Sequence, residues 1–194
     1  MLAIDNIDTA EICSQGLEVL FNQHYKEMYD EETADFLEVK NIYGLLSNIY
    51  SACLYSEFEI YSFEHPDATV EELGIEFARL NEEYGYDYGV DDGEGLYFWC
   101  DVNHFFSSPC YYISYATSAF CALELYNMAL EDEQRAANKY MQLISMDSVW
   151  LFRETLGYVG LPDIFEKGVP KDVFKKAMKS VRSIANKYES IEER

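Results

Sequence analysis

Residues 33–63 read TADFLEVKNIYGLLSNIYSACLYSEFEIYSF, and this stretch decides the fold. Its apolar residues recur in a three-then-four rhythm, which is the period of one face of an α-helix. They are Phe36, Val39, Ile42, Tyr43, Leu46, Ile49, Tyr50, Cys53 and Leu54. Thr33 is the candidate N-cap, and Pro66 requires the helix to stop by His65. The sequence therefore predicts one long amphipathic helix here.

Helical signals continue on both sides of this stretch. Thr69 and Glu72 form a capping-box pattern, which predicts a helix that runs to about Tyr84 and ends at Gly85. Further helices are predicted over 6–28, from Pro109 to about Leu130, from near Asp132 to just before Met146, over 150–160 and from Pro170 onward. No alternating strand pattern of convincing length is present. We predict an all-α fold, an irregular multi-helix bundle, in one domain that covers residues 1–194.

Residues 85–98 interrupt the helical pattern, because Gly85, Gly89, Gly93 and Gly95 lie there among tyrosines and acids. This composition predicts a mobile surface loop. The loop leads directly to Trp99 and His104. A lid over a binding site and a plain solvated connector both fit the sequence.

The composition excludes several classes of function. The chain carries 36 acidic and 14 basic residues, a net charge of −22, which argues against binding to nucleic acid or an anionic membrane and favours cationic ligands. Hydrophobic residues make up 49%, which a folded protein requires. The five cysteines form no C-x-x-C pair, and no apolar run reaches the ~18 residues of a membrane helix. We expect a cytoplasmic protein with reduced thiols.

The segment 104–117, HFFSSPCYYISYAT, is the candidate functional site. Tyr112 and Tyr115 are three residues apart and share a helical face, while Tyr111 lies four residues before Tyr115. His104 precedes them in a loop. A histidine and phenols that converge on one cleft would offer hydrogen-bond donors to a developing oxyanion. Ordinary aromatic packing at the edge of a core explains the same spacing.

This segment resembles the C-terminal signature of the oligoendopeptidase F and thimet oligopeptidase family of zinc metallopeptidases, where a histidine-aromatic loop precedes a P-x-Y-Y-x-x-Y-A-type helix. A second match is EICSQ at residues 11–15, followed by Leu17 and Glu18. It is similar to the family segment that supplies the third zinc ligand. The stretches at 56–59, before Trp99 and at 143–161 also follow the family's order. The resemblance covers almost the whole chain.

The resemblance implies roles for individual residues. It assigns His104, Tyr112 and Tyr115 to binding of the substrate carbonyl and stabilisation of the transition state. Tyr111 is a candidate substrate-binding residue beside them. Glu11 takes the position of the third zinc ligand. From the residues alone, Glu11 is equally an acid near a helix N-terminus that interacts with the helix dipole.

The family's metal also needs two histidines from an H-E-x-x-H helix, and this sequence contains no such motif. Its three histidines, His24, His65 and His104, are far apart, and we expect His24 and His65 to be surface residues. We therefore predict a peptidase homologue that binds no zinc and is inactive as this chain alone.

Three readings of the function stay open. The chain is a partial metallopeptidase, one half of a split enzyme completed by an H-E-x-x-H-bearing chain, or an acidic module that binds short peptides without cleaving them. Apolar surface left uncovered on such a chain also predicts self-association.

Overall fold

A computed structural model describes residues 7–86, 95–146 and 150–192. These ranges contain helices and turns but no β-strand, which confirms the predicted all-α fold. The α-helices are α1 (Ile7–Phe21), α2 (Tyr25–Met28), α3 (Glu31–Glu64), α4 (Val70–Glu83), α5 (His104–Ser107), α6 (Tyr112–Glu131), α7 (Glu133–Ile144), α8 (Phe152–Val159) and α9 (Val169–Glu192). Within the same described ranges, 3-10 helices cover Asn22–His24 and Gly95–Asp101. None of the helices in these ranges combines the length and apolar content that a bilayer crossing requires.

The long helix α3 forms as predicted and ends at Glu64, two residues before Pro66. Its N-cap is Asp30 and not Thr33, because the Asp30 carboxylate accepts the Thr33 backbone N–H at 2.9 Å. The predicted apolar face is partly wrong. Ile42, Leu46 and Leu54 are buried, and Val39, Ile49 and Cys53 are partly buried. Phe36, Tyr43 and Tyr50 are more than half exposed and form a second stripe along the helix.

The capping signals identify other helix ends correctly. Thr69 and Glu72 form the predicted capping box, in which the Thr69 N–H donates to the Glu72 carboxylate at 2.8 Å and the Glu72 N–H donates to Thr69 Oγ1 at 3.2 Å. Gly85 follows α4 with φ of 79°, a left-handed conformation that suits glycine. Asp132 caps α7 by accepting the Arg135 N–H at 2.9 Å.

Two local predictions need correction. Of the loop predicted over 85–98, residues 87–94 lie outside the described residues, and residues 95–98 open a 3-10 helix in which Gly95 and Trp99 are buried. The helix predicted over 6–28 is divided into α1, a 3-10 turn and α2, and Leu17 and Phe21 are exposed.

Contacts group the chain into two compact units. One consists of Met1–Ile49 and Thr117–Arg194, here the two-segment unit, and the other is Tyr50–Ala116, here the 50–116 unit. The single domain predicted for residues 1–194 stays a prediction, because contacts within a chain do not test independent folding.

Each unit has an apolar core of its own. In the two-segment unit, buried residues of α1, α6, α7 and α8 form one cluster, and buried residues of α1, α3, α6 and α9 form another. In the 50–116 unit the core consists of Leu54, Phe58, Phe77, Leu80 and Trp99, with partly buried aromatic residues around them. The predicted site residues at 104–115 therefore lie in the smaller unit, beside an aromatic core.

A substitution at Gly74 would test how closely α4 packs against the 3-10 helix Gly95–Asp101. A Cβ at Gly74 would overlap the backbone carbonyl oxygen of Leu96, which cannot move aside as a flexible side chain can. We expect Gly74→Ala to lower the free energy of unfolding by about 2 kcal/mol in urea denaturation.

The matched control is Gly44→Ala, in the interior of α3, where a Cβ meets no atom within 4 Å. There alanine should raise the free energy of unfolding by about 0.5–1 kcal/mol, because glycine loses more backbone entropy in a helix. Equal effects of the two substitutions would contradict the close approach at Gly74.

Candidate functional site

The candidate site is built by a turn between two helices of the 50–116 unit. His104 is the first residue of α5, a single helical turn, and α6 begins at Tyr112. The predicted helix start near Pro109 is wrong by three residues. The reason is Cys110, whose φ of 64° lies in the left-handed region and cannot belong to an α-helix. Pro109 thus lies in the connection between α5 and α6 and not in the first helical turn of α6.

The structure brings the four predicted side chains together. The His104 ring centroid lies 5.4 Å from that of Tyr111, 5.0 Å from that of Tyr112 and 6.0 Å from that of Tyr115. Tyr115 in turn lies 5.3 Å from Tyr111 and 5.6 Å from Tyr112. We call His104, Tyr111, Tyr112 and Tyr115 the His–Tyr cluster. Their convergence is observed, and their roles stay predictions.

Tyr112 also packs against aromatic residues outside the His–Tyr cluster. Its ring centroid lies 4.7 Å from that of Tyr55 on α3 and 6.0 Å from that of Phe105 on α5. Burial raises the pKa of the Tyr112 phenol, and the neighbouring Tyr115 and Glu59 raise it further. The phenol therefore keeps its proton at neutral pH, which makes it a hydrogen-bond donor in a fixed position.

Glu59 also belongs to this site, although the sequence analysis did not assign it a role. It is 4% exposed, and its Oε1 accepts the backbone N–H of Cys110 at 2.7 Å. Burial raises the pKa of its carboxyl, while the Cys110 N–H and the charge of His104 lower it. The signal in the sequence is its spacing, since Glu59 follows Tyr55 by four residues and Phe58 by one, on the buried side of α3.

Glu11 lies on α1, in the two-segment unit. Ser14 Oγ donates to its carboxylate and to its backbone carbonyl, each at 3.1 Å. Among the described residues, no group of three or more His, Cys, Asp or Glu side chains could hold a metal ion. The described residues thus do not fit the zinc that the family resemblance implies. The alternative role of Glu11 at a helix N-terminus is not supported either, because the acid in the first turn of α1 is Asp8.

The other two histidines lie elsewhere on the surface. His65 is exposed, donates from Nδ1 to the Tyr61 carbonyl at 2.9 Å and stacks on the Tyr61 ring. His24 is partly exposed, and its two ring nitrogens lie 3.2 Å from Glu27 and 3.3 Å from Glu133. Both observations agree with the prediction that these two are surface residues.

Solved structures of peptidases share this fold. A Pz peptidase A with an inhibitor matches with a TM-score of 0.82 and 23% identity, over 91% of this chain and 32% of its own. A protein assigned as an oligoendopeptidase F matches with a TM-score of 0.83 and 24% identity, over 91% and 32%. Another so assigned, from Bacillus anthracis str. Ames, matches with a TM-score of 0.72 and 22% identity, over 91% and 28%.

The predicted resemblance to oligoendopeptidase F is thereby confirmed at the level of the fold. No family model and no curated protein matches the sequence. This chain spans about a third of the length of the solved structures that it matches. One fold can carry many functions, because function resides in particular sites, here the His–Tyr cluster as the candidate.

Proposed function

We propose that the 50–116 unit binds short peptides, with the His–Tyr cluster as the site that contacts the peptide backbone. In this proposal His104, Tyr112 and Tyr115 donate hydrogen bonds to a peptide carbonyl oxygen, and Tyr111 contacts the adjoining part of the peptide. The convergence of one imidazole and three phenols, on a fold shared with peptidases, is the observation that carries it.

The chemistry of this cluster suits a carbonyl in a peptidase. A carbonyl oxygen gains negative charge when a peptide bond is attacked, and fixed donors stabilise that charge more than they stabilise the ground state. Tyr112 and Tyr115 supply such donors from one helix, and His104 supplies a third when its ring nitrogen carries a proton. The net charge of −22 favours peptides that carry lysine or arginine.

We propose further that the chain alone does not hydrolyse peptides. The sequence has no H-E-x-x-H motif, and the described residues offer no set of metal ligands around Glu11. A partner chain that carries such a motif would complete a peptidase site.

Calorimetric titration with blocked pentapeptides that carry two lysines tests the binding proposal. We expect binding by the unchanged chain, and about a tenfold weaker affinity for Tyr112→Phe, since one hydrogen bond is lost while the ring still packs on Tyr55. His104→Ala should weaken the affinity at least as much.

Tyr97→Phe is the matched control, because Tyr97 is an exposed tyrosine of the same unit outside the His–Tyr cluster. Its affinity should equal that of the unchanged chain. No heat with any peptide, or equal losses for Tyr97→Phe and Tyr112→Phe, would refute the binding proposal.

Hydrolysis of a quenched pentapeptide, with and without added zinc, tests the second proposal. The chain alone should give no cleavage, and cleavage should appear only after mixing with a polypeptide that carries H-E-x-x-H. Zinc-dependent cleavage by the isolated chain would contradict it.

A further inference from the structure

We propose that Glu59 is a positioning residue of the His–Tyr cluster. Its buried carboxyl group holds Cys110, in the turn between α5 and α6, in the left-handed conformation. The inference rests on the proposed function, because the turn it holds sets the spacing between His104 and Tyr112. No role for this glutamate follows from the sequence motifs.

The burial of Glu59 is unusual for an acid in this protein. Glu59 is 4% exposed, and its Oε2 atom is buried without a hydrogen-bond partner among the described residues. A buried carboxyl oxygen without a hydrogen-bond partner lowers the stability of the folded protein, and most buried polar atoms have partners. Replacing Glu59 with an apolar residue would remove this penalty, so its presence indicates that the carboxyl group has a structural role.

The other carboxyl oxygen shows what that role is. Oε1 accepts the Cys110 backbone N–H at 2.7 Å, across 51 positions of sequence. Among the described residues, Cys110 is the one non-glycine residue with positive φ, a conformation that a Cβ disfavours. A short hydrogen bond that a backbone N–H donates to a carboxylate oxygen is among the stronger bonds available to a backbone amide. It therefore stabilises the turn at Cys110, where the backbone conformation is unfavourable.

The turn in question fixes both ends of the His–Tyr cluster. The Ser108 N–H donates to the His104 carbonyl at 3.0 Å on one side of Cys110, and the Ser114 N–H donates to the Tyr111 carbonyl at 3.0 Å on the other. A different conformation at Cys110 would move α5 relative to the start of α6. The ring contacts of His104 with Tyr112 and Tyr115 would then change.

Glu59 is also coupled by charge to the residues it positions. Among the described residues, His104 on α5 acts on the Glu59 carboxyl by charge, and Glu59 in turn acts on the Tyr112 phenol on α6. Protonated His104 favours the ionised form of Glu59, and burial opposes it. The ionisation of Glu59 is therefore coupled to His104 and Tyr112. An apolar side chain at position 59 would have no such coupling.

Three substitutions separate positioning from simple packing. Glu59→Gln keeps an oxygen acceptor for the Cys110 N–H and removes the charge, whereas Glu59→Ala removes both. Glu64→Gln, on the exposed part of the same helix, is the control. We expect Glu59→Ala to weaken pentapeptide affinity by about tenfold and Glu59→Gln to restore it to within about threefold, while Glu64→Gln changes nothing.

The NMR signal of the Cys110 amide gives an independent readout that does not require peptide. In the unchanged chain it should shift with pH around a midpoint above the ordinary glutamate value. That midpoint should rise in His104→Gln, since the imidazolium no longer favours the carboxylate. The titration should vanish in Glu59→Gln and persist in Glu64→Gln.

The outcomes distinguish this inference from the proposed function. If no variant binds peptide but the Cys110 amide behaves as stated, the proposed function fails and the anchoring of the turn by Glu59 stands. If Glu59→Ala folds, as its amide spectrum shows, and binds peptide like the unchanged chain, the positioning role is refuted. Should Glu59→Ala not fold, a Cys110 amide that titrates equally in Glu59→Gln and the unchanged chain overturns the inference.

Discussion

Phe58→Ala should lower the free energy of unfolding by about 3–5 kcal/mol, the loss typical of a large buried aromatic side chain. Phe58 is 2% exposed and lies at the centre of the 50–116 core. Its ring centroid is 5.1 Å from that of Phe77, 5.7 Å from Trp99 and 5.2 Å from Phe105. Removing the ring leaves a cavity that these neighbours cannot fill, because each is held by other contacts.

The control for this change is on the same helix. Phe63→Ala removes the same atoms five residues later, where the side chain is 61% exposed, and should alter stability by no more than about 0.5 kcal/mol. Urea denaturation followed by fluorescence measures both, since Trp99 lies in the affected core. A loss below about 1 kcal/mol for Phe58→Ala would show that this core is not packed as described.

Asp35→Asn should produce the second large loss, of about 3 kcal/mol at neutral pH, in the two-segment unit. Asp35 is 1% exposed on α3, and its Oδ2 accepts Lys187 Nζ at 2.7 Å and the Tyr188 hydroxyl at 3.0 Å. Lys26 Nζ lies 3.3 Å from Oδ1. Asparagine would leave two ammonium groups beside a neutral amide. The loss should not exceed this value, because both lysines are about half exposed to water.

The loss should also depend on pH with a definite sign. Burial acts to raise the pKa of Asp35, but the hydrogen bonds from Lys187, Lys26 and Tyr188 outweigh it and lower the pKa below the ordinary value. A lowered pKa contributes stability above the unfolded value of ~3.9, and this contribution disappears as the pH falls through the folded value. The difference between Asp35→Asn and the unchanged chain should thus be full at pH 7 and shrink in acid.

Glu32→Gln serves as the control, three residues earlier on α3 and exposed to solvent. It should change stability by less than about 0.5 kcal/mol at either pH. A loss for Asp35→Asn that stays constant as the pH falls below the unfolded pKa would contradict the ion-pair account.

The helix ends of this fold were predictable from local chemistry. The capping box at Thr69 and Glu72, the turn at Gly85 and the stop before Pro66 each depend on residues within a few positions of one another. The exposed stripe of Phe36, Tyr43 and Tyr50 was not predictable, because period alone does not show which of two adjacent apolar faces meets a neighbour.

The candidate site shows the same division. Helical spacing selected Tyr112 and Tyr115, and the family resemblance selected them together with His104. The structure brings the three together. The role of Glu59 was not predictable from the sequence, because Glu59 is one of 36 acidic residues and its partner Cys110 lies 51 positions away. The left-handed backbone at Cys110, which delays α6 to Tyr112, depends on that distant contact and leaves no local signal in the sequence.

The most direct test of the peptide-binding site is the change in backbone amide NMR signals during titration with the two-lysine pentapeptide. We expect saturable shifts that are concentrated at residues 104–115 and at Tyr55 and Glu59 and that are smaller in Tyr112→Phe. Saturable shifts confined to the two-segment unit, or no shifts at millimolar peptide, would contradict it.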